Sequence, residues 1–196
     1  MVVVTKQLCD QLSDKEIVKN SLANIDYFIC LYYRYEKRLL HYIKRISGIS
    51  NEQAEDILQD SFIKIWQNLN DFDQRMKLSS WIYRIVHNET ISQWRNEKHY
   101  GKSKKVKFEE NLSKHTLYEF DNKKDVDKME FYTHEVLYLL PMKYKSVLIL
   151  KFIEGMSYQE ISDVLKISEG TVATRINRAK KRFLKEASEN HISFNN

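Results

Sequence analysis

The chain has 196 residues, with 32 Lys+Arg against 27 Asp+Glu and a formal net charge of +5. That length suits one large domain or two small ones. Hydrophobic residues at 42% supply a core, and charged residues at 30% suit a water-facing surface. Four Gly and one Pro are too few for a hairpin-rich β protein, which draws on both for its turns, so an all-α chain is expected. Cys9 and Cys30 form no CxxC pair, no disulfide framework and no metal spacing with a nearby His, which fits a reduced, cytoplasmic protein. Met1–Val4 is apolar but lacks a basic flank, and no run approaches a membrane-spanning length. Phosphate-binding glycine loops, HExxH and GxSxG are absent from the sequence.

Residues 13–47 read as a helical pair. Ser13 and Glu16 fit a capping box, and a Tyr-rich second helix over about 25–46 stops before Gly48. Ser50 and Gln53 fit another box. It opens a helix over 51–69, whose Ala54, Ile57, Leu58, Ser61, Phe62, Ile65, Trp66 and Leu69 share one face. After a loop at 70–78, Ser79 or Ser80 can cap a helix over 81–98, with Ile82, Ile85, Val86 and Ile91 buried. Residues 99–128 lose the periodicity and read as a solvated linker. A second unit, 129–196, holds helices over about 130–140, 143–154, 158–165 and 169–186, broken at Pro141 and Gly155.

The small net charge conceals a partition. Residues 51–73 sum to −5, residues 79–107 to +5 and residues 166–185 to +6. Two basic blocks separated by a linker suit two-point attachment to a polyanion, while the acidic helix suits a basic protein. A solvated face is the competing reading for each run.

Residues 156–182 have helix-turn-helix spacing. Ser157 and Ser168 are plausible N-caps, and Lys166-Ile167-Ser168 is a three-residue turn. Thr171, Thr174, Arg175 and Arg178 fall on or near the outer face of the second helix, followed by Lys180 and Lys181. The N-terminal turn offers N–H groups to a phosphate, Arg can read guanine, and Thr can touch a thymine methyl. A basic amphipathic helix packing a bundle is the alternative.

Ala54-Glu55-Asp56-Ile57-Leu58-Gln59-Asp60-Ser61-Phe62, Ile65-Trp66 and Trp81-Ile82-Tyr83-Arg84-Ile85 with Asn88 resemble domain 2 of RNA polymerase sigma factors. Leu140-Pro141, Glu154-Gly155, Tyr158, Glu160-Ile161, Gly170-Thr171-Val172 and Arg178-Ala179 resemble sigma domain 4. The order, length and lack of an intervening domain resemble the extracytoplasmic-function (ECF) group of the sigma-70 family.

The resemblance implies roles. Glu52, Glu55, Asp56, Gln59 and Asp60 would meet the clamp helices of the largest subunit of core RNA polymerase. Trp81, Tyr83, Arg84, His87, Asn88 and Arg95 would bind and open the −10 element of promoter DNA, with unstacked bases meeting the aromatic rings. Thr171, Thr174, Arg175, Arg178, Lys180 and Lys181 would read the −35 element. The helix at 143–154, through Leu148 and Phe152, would take the flap of the second polymerase subunit. An anti-sigma protein is the further partner implied. No cofactor, metal or catalysis is expected. Ser92 stands where family members commonly carry Asp, and Ala173 where many carry Lys or Arg, which shifts −35 readout toward Thr171, Thr174 and Arg178. The alternatives are a stand-alone helix-turn-helix regulator, and a metal-dependent nucleic-acid enzyme using Glu55, Asp56 and Asp60.

Overall fold

A computed structural model describes residues 3–99, 133 and 135–192. They are helical throughout apart from short turns and loops, and hold no strand. The chain divides into two compact units, Met1–Ile91 with Ser162–Lys166, and Ser92–Ile161 with Ile167–Asn196. The linker expected at 99–128 lies outside the described residues apart from His99.

The first unit begins with a helix absent from the sequence expectations, α1 (Lys6–Gln11), capped by the Thr5 hydroxyl. A Cys9–Cys30 disulfide ties it to the third helix, so the expectation of two reduced thiols is corrected. The pairing follows from how α1 seats, which no spacing rule reports. Helix α2 (Asp14–Ala23) opens with the Ser13/Glu16 capping box. The Ser13 hydroxyl and backbone N–H hold the Glu16 carboxyl below its usual range. A 3₁₀ turn, Ile25–Phe28, then precedes α3 (Ile29–Ser47), so the expected single helix is two elements. Asn24 drives the break by accepting from the Asp26 N–H. Helix α3 ends at Gly48, whose φ of 70° is the left-handed geometry that glycine adopts without penalty.

Helix α3 buries Cys30, Leu31, Tyr35, Leu39, Tyr42, Ile43 and Ile46, and packs against α4 (Asn51–Gln67). The Ser50/Gln53 box caps α4 as the spacing predicts. Ala54, Ile57, Leu58, Ser61, Phe62 and Ile65 are buried along it, whereas Trp66 is half-buried against the Phe28 ring. Each large apolar side chain here contributes about 1.5–3 kcal/mol by leaving water. The apolar stripe therefore holds α4 in place without help from its acidic face.

Helix α5 (Leu78–His99) begins earlier than expected, after a 3₁₀ turn at Leu69–Asp71 and a loop. Ser79 and Ser80 are both inside it, so neither is its cap, and the Ser80 hydroxyl is buried without a partner. Ile82 and Val86 are buried, but Ile85 and Ile91 reach partial exposure. Lys64 of α4 pairs with the largely buried Glu89 of α5.

In the C-terminal part of the chain, a helical stretch at 135–139 stops before Pro141, and α6 (Met142–Leu148) follows. The helix then widens into a π turn, Ile149–Ile153, closed by the Glu154 N–H donating to the Ile149 carbonyl at 3.0 Å. Gly155 turns the chain at φ 71°. Helix α7 (Tyr158–Leu165) is headed by a Ser157/Glu160 box. Lys166 makes the tight turn at φ 54°, and the Ser168 hydroxyl accepts the Thr171 N–H to start α8 (Glu169–Glu189). Helices α6 and α8 pack together. Val136, Leu140, Val147, Leu150, Val172, Ile176 and Ala179 are among the buried residues of this half.

Candidate nucleic-acid and polymerase interfaces

Helix α8 sorts its side chains by period. At about 100° per residue, Thr171, Thr174, Arg175, Arg178, Lys181, Arg182 and Lys185 fall within an arc of roughly 120°. Val172, Ile176, Ala179 and Ala187 occupy the buried side. Thr174, Arg178 and Lys181 are exposed, while Thr171 and Arg175 are partly covered. The Thr171 hydroxyl shares the cap with Ser168 at 2.9 Å, and the Thr174 hydroxyl donates to the Gly170 carbonyl. With its hydroxyl spent on its own helix, Thr174 offers chiefly its methyl group outward.

Lys180 departs from the expected set. Two residues beyond Arg178, it points about 200° away, and its ammonium lies 5.0 Å from the centre of the Phe152 ring. A contiguous basic run in sequence is therefore split between two surfaces. Arg182 pairs with Glu186, which moderates the positive charge at the far end of the outer face.

Gly170 lies in the first turn of α8. A Cβ added there would meet nothing within 4 Å. The chain itself has no steric need for glycine at this point, and the open space borders the free N–H groups of the helix start.

On α5, the expected −10 residues separate into core and surface. Trp81 is 5% exposed, and its ring rests on Phe72 of the preceding loop at 5.3 Å. Tyr83 is fully buried and edge-on to Tyr42 at 5.1 Å. Both rings are covered, although the resemblance implies that they stack on bases. The cause is tertiary: Phe72 and Tyr42 reach α5 from other elements. His87 is half-buried, with Nδ1 2.8 Å from the Tyr42 hydroxyl. Arg84, Asn88 and Arg95 remain, within roughly 40° of one another around the helix. Asn88 and Arg95 are exposed, and Arg84 reaches back to the Met76 sulfur at 3.7 Å. In the adjoining loop, Arg75 binds Asp73 through three N–H contacts from its side chain, and the carboxyl is held down to about 2 by those bonds.

On α4, all five expected docking residues are exposed: Glu52, Glu55, Asp56, Gln59 and Asp60. Ile63 continues that face at 55% exposure. Sequence reasoning passed over it, although its absence from the buried rhythm was a visible signal. Phe152 is likewise 56% exposed, lifted outward by the π turn, while Leu148 is core. The pair expected to act together at 143–154 is thus divided. No cluster of three or more metal-binding side chains occurs among the described residues, and no described helix is long and apolar enough to cross a membrane.

Residues 31–100 match the family model for sigma-70 region 2, and residues 132–183 match that for sigma-70 region 4. The chain belongs to the sigma-70 family. Its relatives place it in the ECF group of sigma factors. It is 31% identical over 183 residues to the ECF RNA polymerase sigma factor SigW of Bacillus subtilis, spanning 90% of this chain and 97% of that one. It is 30% identical to the RNA polymerase sigma factor YlaC of the same species, spanning 83% and 95%. The fold is similar to a structure of CnrH in complex with the cytosolic domain of CnrY, with a TM-score of 0.66 at 24% identity over 90% of this chain and 97% of that one. It is also similar to the sigma factor RpoE in complex with the anti-sigma factor NepR from Bartonella quintana, with a TM-score of 0.65 at 22% identity over 82% and 96%. The sigma factors are transcription initiation factors rather than enzymes. Region 2 accordingly contains α4 and α5, and region 4 contains α6, the π turn, α7 and most of α8.

Proposed function

We propose that this sigma factor binds core RNA polymerase through the exposed face of α4 and reads promoter DNA at two elements. Residues 1–98 act as domain 2, residues 129–196 as domain 4, and residues 99–128 as the link. The observation that carries this reading is the separation of surfaces. The acidic α4 face with Ile63 at its end, the Arg84/Asn88/Arg95 face of α5 and the Thr171-to-Lys181 face of α8 each stand clear of the buried stripe on their own helix.

Polymerase docking uses Glu52, Glu55, Asp56, Gln59 and Asp60 for orientation, with Ile63 as the apolar anchor. The clamp helices of the largest subunit are the partner on this reading, and Phe152 meets the flap of the second subunit. On α5, Arg84, Asn88 and Arg95 contact the −10 strand. Trp81, packed on Phe72, and Tyr83, packed on Tyr42, hold that helix in position. On α8, the helix start and Lys181 hold phosphate, Arg178 and Arg175 reach base edges, and the Thr174 methyl faces the groove. An anti-sigma protein would occupy the polymerase-docking or DNA-facing surfaces and hold the chain inactive. The chain supplies binding energy for strand separation and leaves the chemistry to polymerase.

The test is run-off transcription. The purified chain is mixed with sigma-free core polymerase and a promoter library. Specific transcripts that require the chain support the reading. Failure to bind core enzyme, together with absence of transcripts, refutes it. Duplex binding without polymerase binding would point to the stand-alone regulator instead, which leaves the acidic α4 face without a task.

A further inference from the structure

We propose that Cys9 and Cys30 form a reversible redox centre, reduced by low-molecular-weight thiols of the glutathione class, that fastens or frees the N-terminal arm. This rests on the initiation-factor reading in one respect. Transcription takes place where thiol pools keep cysteines reduced, and disulfides there are as a rule transient or redox-sensing rather than permanent staples.

The placement supports a toggle. Helix α1 has only six residues and packs against α3, and specific links hold the two together. One is the disulfide, with the two Cα atoms 5.0 Å apart and a sequence separation of 21. Others come from Arg34, one turn beyond Cys30 on the same face of α3. Its guanidinium donates to the carbonyls of Cys9 and Leu12 and to the Asp14 carboxylate at 2.6–2.8 Å. Both sulfur-bearing residues are buried, Cys9 at 2% and Cys30 at 0% exposure. Helices of only six residues open locally at low cost, and that opening admits the attacking thiolate. The same arm carries Val3 and Val4, which wall an apolar groove against Ile25, Phe28, Ile29 and Tyr32. Freeing the arm removes one side of that groove.

The chemistry closes. A glutathione thiolate bonds to the Cys9 sulfur, the protein S–S bond breaks, and Cys30 leaves as a thiolate that takes a proton. A second glutathione thiolate attacks the glutathione sulfur of this mixed disulfide and releases Cys9, which takes the other proton. The protein gains two electrons and two protons, and two glutathione molecules become one glutathione disulfide. Oxidation runs the same steps backward.

The full chain is equilibrated without oxygen across a range of reduced-to-oxidised glutathione ratios, then acid-quenched and labelled with a maleimide. Mass spectrometry counts the labels, and hydrogen exchange follows residues 6–11. Two labels should enter together as the ratio rises. Over the same range, exchange in 6–11 should quicken by up to about a hundredfold, the loss of closure of a loop this long, with α3 to α5 unchanged. The Cys9→Ser/Cys30→Ser chain should show the fast exchange at every ratio. Labelling by none or by two maleimides at all ratios overturns the proposal. So does exchange in 6–11 that ignores the labelling transition, or that follows glutathione in the double variant. The measurement contains neither polymerase nor DNA, so its failure leaves the initiation reading intact, and a failed run-off assay leaves the thiol result intact.

Discussion

Arg178 and Lys180 are neighbours in a basic run, and the fold sends them to different surfaces. Arg178 is exposed on the Thr171/Thr174 side, while Lys180 covers the Phe152 ring. Each is replaced by alanine in turn. If Arg178 makes a base contact, its loss costs about 1–3 kcal/mol, which is roughly 5- to 150-fold in affinity at about 1.4 kcal/mol per tenfold. If it binds phosphate instead, affinity falls for all sequences alike and the slope of log K against log salt flattens by about 0.9. Lys180→Ala should change duplex affinity less than about twofold, because its residual effect acts through long-range charge, which salt screens within about 10 Å. The assay is fluorescence anisotropy on a duplex selected from a randomised pool, repeated across salt concentrations. Equal losses from the two variants would refute the assignment of faces on α8. An unchanged affinity and salt slope for Arg178→Ala would refute its place at the DNA.

Trp81→Ala should lower stability to urea by about 3–5 kcal/mol, the range for deleting a buried aromatic; a normal unfolding curve with slow promoter opening would return Trp81 to the DNA surface. Gly170→Ala should leave stability unchanged or raise it by up to about 1 kcal/mol, since helices prefer alanine. Its duplex affinity should nonetheless fall, because a methyl would stand in the open space at the helix start, and an unaltered affinity would remove the phosphate from that position. Reversal of charge at Asp56 and Asp60 to Lys should spare the melting temperature and weaken co-purification with core polymerase, most clearly at low salt. The Asp73–Arg75 turn should persist at pH 4 and be lost as the pH falls through about 2, because the carboxyl is held below its ordinary value. Carboxyl chemical shifts across an acid titration report it, and a midpoint near the ordinary value would show the pair to be absent in solution.

Elements set by neighbouring residues were legible in the sequence. The Ser13/Glu16 and Ser50/Gln53 boxes each place two groups three residues apart, and both close as spacing predicts. Likewise the α4 stripe needed only a count of 3.6. Residues decided by distant partners were not legible. Trp81 and Tyr83 have the chemistry of base-stacking groups and no local mark of burial, which comes from Phe72 and Tyr42. Cys9 and Cys30 meet only because α1 and α3 do. Lys180 is a different case. Its direction followed from helical period, but a run of like charges invites treatment as one block. Five of the six expected −35 residues share an arc of α8, all five docking residues face outward, and the −10 set keeps Arg84, Asn88 and Arg95 on one face.

The π turn at Ile149–Ile153 has a consequence for insertions and deletions. A π turn behaves as an α-helix that has absorbed one extra residue. Where Phe152 points is therefore set by counting, as much as by the identity of its neighbours. Deleting one residue within the turn would leave composition and charge almost untouched and let the stretch close as a regular α-helix with the flanking turns keeping their faces, yet the side chains inside the turn, Phe152 among them, would be re-aimed by up to about 100°. The same number of atoms would then show a different side chain to a partner. In this stretch chain length is itself a heritable variable, one that no substitution scan would sample.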